Sequence, residues 1–144
     1  MKYNFLFAFI LSLVLLNVIS ATAQENSKFY IDGQIHPDYS IKIMVNGKLV
    51  NEVIPAQDSV KIFVFDLEKG VVKQGENIVG VQYNVVRKIS ADVGSSRSFR
   101  FNIRYQSDID DNSTVQKLIK IKGPEKPFPE IGTTDKIIEN FMFE

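Results

Sequence analysis

Phe99-Arg100-Phe101-Asn102-Ile103-Arg104-Tyr105-Gln106 decides the fold. Its apolar side chains fall at 99, 101, 103 and 105, and its polar ones at 100, 102, 104 and 106. A period of two places one set in a core and the other in water, the pattern of a half-buried antiparallel strand. The same rhythm recurs upstream. Phe29, Ile31, Gly33 and Ile35 alternate with Tyr30, Asp32 and Gln34 until Pro37-Asp38 interrupts them. Ile41, Ile43 and Val45 alternate with Lys42 and Met44 and run into Asn46-Gly47. Both of those residues tolerate positive φ, so they predict a tight hairpin into Lys48 to Ile54.

Val60 to Leu67 is apolar on both faces, which predicts a central strand or one whose outer face meets another element. Gly75-Glu76-Asn77 reads as a turn into a strand carrying Val79, Val81, Tyr83 and Val85. A polar loop at 91–96 precedes the Phe99 strand, and Val115 to Lys122 supplies one more. The spacing predicts an all-β fold: an antiparallel two-sheet sandwich of about seven strands over residues 24–122. Residues 123–144 read as a proline-rich spacer followed by a short apolar tail. Within that tail, 136–144 fits a short amphipathic helix capped by Asp135 and fits a strand equally well.

Residues 1–23 have the order of a cleavable secretory signal. Lys2 is basic, Phe5 to Leu16 is apolar apart from Ser12, and Ala21-Thr22-Ala23 offers a small-x-small cleavage site before Gln24. The apolar run falls short of the roughly 20 residues that cross a bilayer. Left uncleaved, it would serve as an N-terminal anchor. Removing 23 of 144 residues leaves 121, enough for one domain with a modest core. The chain has no cysteine, so neither a disulfide nor a lipidated cysteine is available, and a soluble periplasmic or secreted protein is expected. Without Lys2 the basic residues number 16 against 17 acidic, a formal charge of −1. Near-neutrality argues against nucleic acid and against a coat for anionic membranes.

Two pieces of sequence carry a family resemblance. Ile43-Met44-Val45-Asn46-Gly47-Lys48 looks like the V-N-G-K hairpin of bacterial β-sandwich modules. Phe63-Val64-Phe65-Asp66-Leu67, followed by Lys73-Gln74-Gly75-Glu76-Asn77-Ile78-Val79-Gly80-Val81, is similar to their F-x-F-D-L and K-x-G-E-N-x-V-x-V stretch. Such pieces occur in bacterial immunoglobulin-like domains and in jelly-roll modules attached to sugar-cleaving enzymes. Few strands precede the hairpin here, which favours the smaller immunoglobulin-like form. The resemblance implies a fold and an exported setting, and it carries no binding residue.

Little in the chain suggests catalysis, and no cofactor or metal is expected. His36 is the single histidine, placed beside Pro37 at a strand end where a surface position is expected, and no cysteine stands with it. No Gly-x-Ser-x-Gly or phosphate-cradling loop occurs. Glu52, Glu68 and Glu76 lie in or beside turns, where carboxylates are ordinarily just solvated. Asp108-Ile109-Asp110-Asp111-Asn112 groups oxygen ligands but lacks the glycine and distant glutamate of a calcium loop, so it reads as an acidic turn. Asp58-Ser59-Val60 and Asn112-Ser113-Thr114 match short glycosylation motifs, which require surface positions.

The arginines are the candidate site. All four, Arg87, Arg97, Arg100 and Arg104, fall within one stretch that also holds Lys88 and a single acid, Asp92. If 78–86 and 97–106 form a hairpin, Arg100 and Arg104 project from one outer face with Asn102 between them. Guanidinium forks suit carboxylates and phosphates. Two readings stay open: a docking face for an acidic partner or anionic glycan, and a solvated outer face whose charges discourage aggregation. The functions expected follow from these. One is an envelope or extracellular protein-binding adaptor, whose apolar tail docks either on a partner or on its own sandwich. Another is a carbohydrate-binding module with Tyr30 and Tyr39 as stacking platforms. The third is a purely structural domain.

Overall fold

The computed structural model describes residues 26–88, 98–124 and 129–144. Residues 1–23, expected to be a secretory signal, the 91–96 loop, Arg97 and part of the expected proline spacer lie outside the described residues. Among the described residues, eight strands form two four-stranded sheets in which every pairing is antiparallel. The first sheet has the order β4(Lys61–Asp66), β1(Lys28–Ile35), β6(Phe99–Gln106), β7(Val115–Lys122). The second has the order β3(Lys48–Val53), β2(Tyr39–Val45), β5(Gly75–Val85), β8(Thr134–Phe143). The all-β two-sheet sandwich expected from the alternation is therefore present, with one strand more than the sequence counted.

That extra strand is the tail. β8 pairs with β5 from Asn84↔Thr134 to Gly75↔Phe143, so the segment is a strand, not a helix, and it docks on its own sandwich. Phe141 is buried, and Phe143 completes a three-ring cluster with Phe29 and Tyr105, centroids 4.8–4.9 Å apart. The rings come from β1, β6 and β8, so they tie one sheet to the other. A second cluster, Tyr39, Tyr83 and Phe99, does the same deeper in the core. The Tyr83 hydroxyl donates to Asp135 at 3.3 Å; burial, then the neighbouring carboxylate, raises its pKa above the ordinary phenol value.

The proposed hairpin between 78–86 and 97–106 does not form. β5 and β6 lie in different sheets, and β6 pairs with β1 and β7. The pairings β1–β4 and β3–β2–β5–β8 reproduce the B–E and C′–C–F–G neighbours of an immunoglobulin-type sandwich. The β6–β7 hairpin is inserted between the last two of those strands and lies beside β1, where a first strand would otherwise run. Val60 to Leu67 departs too. β4 is an edge strand, with Phe63 turned into the core while Ile62 and Val64 stand 78% and 65% exposed on its outer face.

Two close contacts fix the register. Gly33 sits opposite Phe101 and Phe63, and a β-carbon there would lie 2.4 Å from the Phe101 β-carbon and 2.6 Å from the Arg100 carbonyl oxygen. Asn77, fully buried, uses its whole amide. Its Nδ2 donates to the carbonyls of Lys73 (2.7 Å) and Gly75 (3.0 Å), and its Oδ1 accepts from Lys73 N and Asn46 Nδ2, both at 2.8 Å. Asn46, held at φ 50°, also donates to Val71 O and accepts from Ile78 N. The two stretches singled out in the sequence thus meet through an amide–amide bond, the Asn46–Ile78 contact and the β2–β5 pairing.

His36 is buried, not exposed as its turn position suggested. Its backbone is tied to the chain entering β6: His36 N donates to Ser98 O, and the imidazole Nδ1 accepts from Asp38 N at 3.3 Å. The turn is therefore an internal junction.

Two substitutions test this framework by urea denaturation. Gly33→Ala overpacks the sheet interior and should lower stability by about 1–3 kcal/mol. Asn77→Ala removes the partner of the Lys73 and Gly75 backbone groups at a partly buried site and should cost about 1–3 kcal/mol. A midpoint unchanged in either variant would contradict the packing described.

Candidate functional site

The outer face of the first sheet is ordered in rows that cross its four strands. The registers align Ile62, Gln34, Arg100 and Lys122 in one row. The next row is Val64, Asp32, Asn102 and Lys120, and the third is Asp66, Tyr30, Arg104 and Lys117. Adjacent strands are about 4.8 Å apart, so the face spans roughly 14 Å from β4 to β7. Chemically it is graded. The β4 side is aliphatic, the β1 column is polar, and β6 with β7 is cationic. A shallow, open hollow of about 550 Å³ follows this gradient, lined among others by Ile62, Val64, Asp32, Arg100, Lys117 and Lys120.

Sequence alone places Lys117 and Lys120 on opposite faces, since they are three apart in a period of two. A β-bulge reconciles them. Ile103 pairs with Ile119 but Arg104 pairs with Lys117, so Leu118 is extra and both lysines point outward. Leu118 packs against the core instead. The bulge is the reason the face carries a cationic column and not isolated charges.

Polar contacts hold the middle of the face. Arg104 Nε and Asp32 form an ion pair, with a second contact from Nη2 to Oδ2 at 3.4 Å. Asn102 Nδ2 donates to the same carboxylate at 3.2 Å. The Asp32 hydrogen bond raises the pKa of Arg104 still further, against a smaller opposing effect of desolvation. Arg100 donates to Gln34 Oε1 at 3.1 Å and keeps its full charge available, because its partner is neutral. Lys117 and Lys120 border the hollow without an ion-pair partner among the described residues. Asp32 is the single carboxylate lining the hollow, set against four basic side chains.

Of the four arginines, the structure brings two together. Arg100 and Arg104 share the face, as their spacing implied. Arg87 does not: it follows β5 and donates to Gln57 O at 2.7 Å. Arg97 lies outside the described residues. Sequence reasoning missed the aliphatic column, because Val60 to Leu67 was expected to be covered. It also missed the β7 lysines, which only the bulge places.

The other candidates resolve into ordinary structure. Tyr39 is buried in the core and offers no stacking platform; Tyr30 is half-buried, with Lys28 Nζ 5.4 Å from its ring centre. Glu52 pairs with Lys42, Glu68 with Lys48, and Glu76 accepts from Asn140. The Lys48 hydrogen bond lowers the pKa of Glu68. In the acidic loop, Asp111 caps a single 3₁₀ turn, Asn112–Thr114, by accepting from Ser113 N; hydrogen bonding from Ser113, side chain first and backbone second, lowers the Asp111 pKa. Ser59 and Asn112 are exposed. Among the described residues no helix is long and apolar enough to cross a membrane, and no three His, Cys, Asp or Glu side chains are grouped to hold a metal.

No protein-family model, curated protein or solved structure matches this chain. The reading of the site therefore rests on its own chemistry.

The Asp32–Arg104 pair is about a third exposed on each side. A double-mutant cycle with Asp32→Ala and Arg104→Ala should give a coupling of only about 0.2–1 kcal/mol, shrinking as salt is raised. A coupling several times larger would mean that the pair is a structural staple and not part of an open charged face.

Proposed function

We propose that this protein is an exported, non-catalytic β-sandwich that works as a protein-binding or adaptor module of the cell envelope. Its partner is an acidic protein surface held on the outer face of the first sheet. The observation that carries this reading is the pairing of two exposed aliphatic side chains, Ile62 and Val64, with a cationic column across a single open hollow. A face whose only task is solvation has no use for the first. A site for a small inorganic anion has no use for it either. Exposed apolar atoms rimmed by charge are the composition of a protein contact. Arg100, Lys117 and Lys120 supply attraction and orientation, and Ile62 and Val64 supply the area to be buried. The carbohydrate reading has less support, because Tyr39 is unavailable and the chain has no tryptophan. The secretory signal supports export, and the absence of cysteine fits a soluble protein there.

The test is a pull-down from an envelope extract with the exported chain, comparing wild type with Arg100→Glu/Lys120→Glu and with Ile62→Ser/Val64→Ser. Both variants alter exposed side chains, so their melting midpoints should stay close to wild type. Each should weaken capture on the order of tenfold or more, and wild-type capture should fall with salt. Recovery of the same partners by all three proteins would remove this face from the function. Retention of glycan without protein would replace the adaptor reading with the carbohydrate one.

A further inference from the structure

The second sheet also leaves an apolar surface uncovered, and it differs from the first in charge. Its registers align Leu49, Met44, Gly80 and Ile138 in a row across all four strands. Ile78 stands in the next row, opposite Asn140, and Met142 in the one after, opposite Glu76. Leu49, Ile78, Ile138 and Met142 are 48–58% exposed. A β-bulge contributes here too. Met44 pairs with Leu49 while Ile43 pairs with Asn51, so Val50 is the extra residue and Leu49 turns outward. Gly80 keeps the middle of the band low, with the side chains of Met44 and Lys136 nearest to where its β-carbon would be.

We infer that this band is the interface of a symmetric dimer, with a second copy of the chain as its occupant. Charge complementarity supports the choice. On one side of the band runs a row with Lys42, Gln82 and Lys136, in which Glu52 pairs with Lys42 at 3.8 Å. On the other side lies Glu76. A two-fold axis running across the strands, midway between the Gly80 and Ile78 rows, lays each of these rows on the other in the partner. The Lys136 row of one copy then covers the Glu76 row of the next, and the aliphatic rows meet in between. Such self-complementarity is the condition for a closed, isologous contact. Two sheets packed face to face at about 10 Å is also an ordinary arrangement of β-structure. The face of the first sheet cannot pair with a copy of itself in this way, because its cationic columns would meet. The two sheets thus divide the work: one joins copies, and the other is left for the acidic partner.

The experiment is sedimentation equilibrium on the exported chain over a wide concentration range. Wild type, Ile138→Glu, Leu49→Glu and, as a control on the opposite sheet, Ile62→Glu are compared, with circular dichroism melts to show that each is folded. Wild type should be a reversible dimer. Ile138→Glu and Leu49→Glu should each raise the dimer dissociation constant on the order of tenfold or more, since each change occurs twice per interface. Ile62→Glu should leave it unchanged. A wild type that stays monomeric, a dimer that persists in both band variants, or one abolished by Ile62→Glu would each overturn the inference. The Ile62→Glu result is read on self-association alone, so it is separate from the capture test of the adaptor reading. If both band variants fail to fold, Lys136→Glu takes their place. It should weaken the dimer by opposing Glu76 of the partner, and a dimer indifferent to it would overturn the inference as well.

Discussion

The amide–amide bond between Asn46 and Asn77 is the constraint on which the rest of the sandwich depends. Asn46 closes the β2–β3 turn, and Asn77 anchors the loop that leads into β5. Five further hydrogen bonds radiate from the pair to the backbone at Val71, Lys73, Gly75 and Ile78. A chain without cysteine has no disulfide to fix one loop against a distant turn. Here a buried side chain does it by imitating backbone, with all four of its hydrogen-bonding positions filled. Once β5 is seated against β2, its other edge is aligned for β8, and the second sheet follows.

The two clusters of aromatic rings act at the next level. They close the sandwich at separate points, one with Tyr39, Tyr83 and Phe99, the other with Phe29, Tyr105 and Phe143. Gly33 lets β1 lie under Phe101 and Phe63 without a collision, and Gly123 does the same beside the Phe99 ring. The outer faces are then set by register alone. That is why their chemistry can differ so sharply between the two sheets while the side chains packed between them stay mainly aliphatic and aromatic.

Much of this was legible in the sequence. Alternation located seven strands, Asn46-Gly47 located the hairpin, and the phase of Arg100 and Arg104 put both on an outer face. What alternation could not supply was everything that depends on pairing partners. β5 and β6 are consecutive strands, yet they belong to different sheets, because β6 fills the place beside β1. Val60 to Leu67 reads as central, or as a strand whose outer face meets another element, because both of its faces are apolar; hydropathy cannot separate a covered strand from an exposed edge. Lys117 and Leu49 are outward because of bulges, and a bulge leaves no mark in a periodic pattern. His36 is buried at a junction bonded to Ser98, far along the chain, which a turn motif does not report.

The order of pairing has a consequence in time. Only β2–β3 and β6–β7 join neighbours in sequence; β1–β4, β1–β6, β2–β5 and β5–β8 each wait for a loop to close. Topologies of this kind fold in milliseconds to seconds, not microseconds. During that interval Ile62-Phe63-Val64-Phe65 is an unpaired, strongly β-forming run, the kind of segment that aggregates. Lys61 and Asp66 bracket it with opposite charges at the two ends of β4. They serve as gatekeepers of the nascent chain, guarding in the unfolded state the same aliphatic side chains that the finished domain holds open.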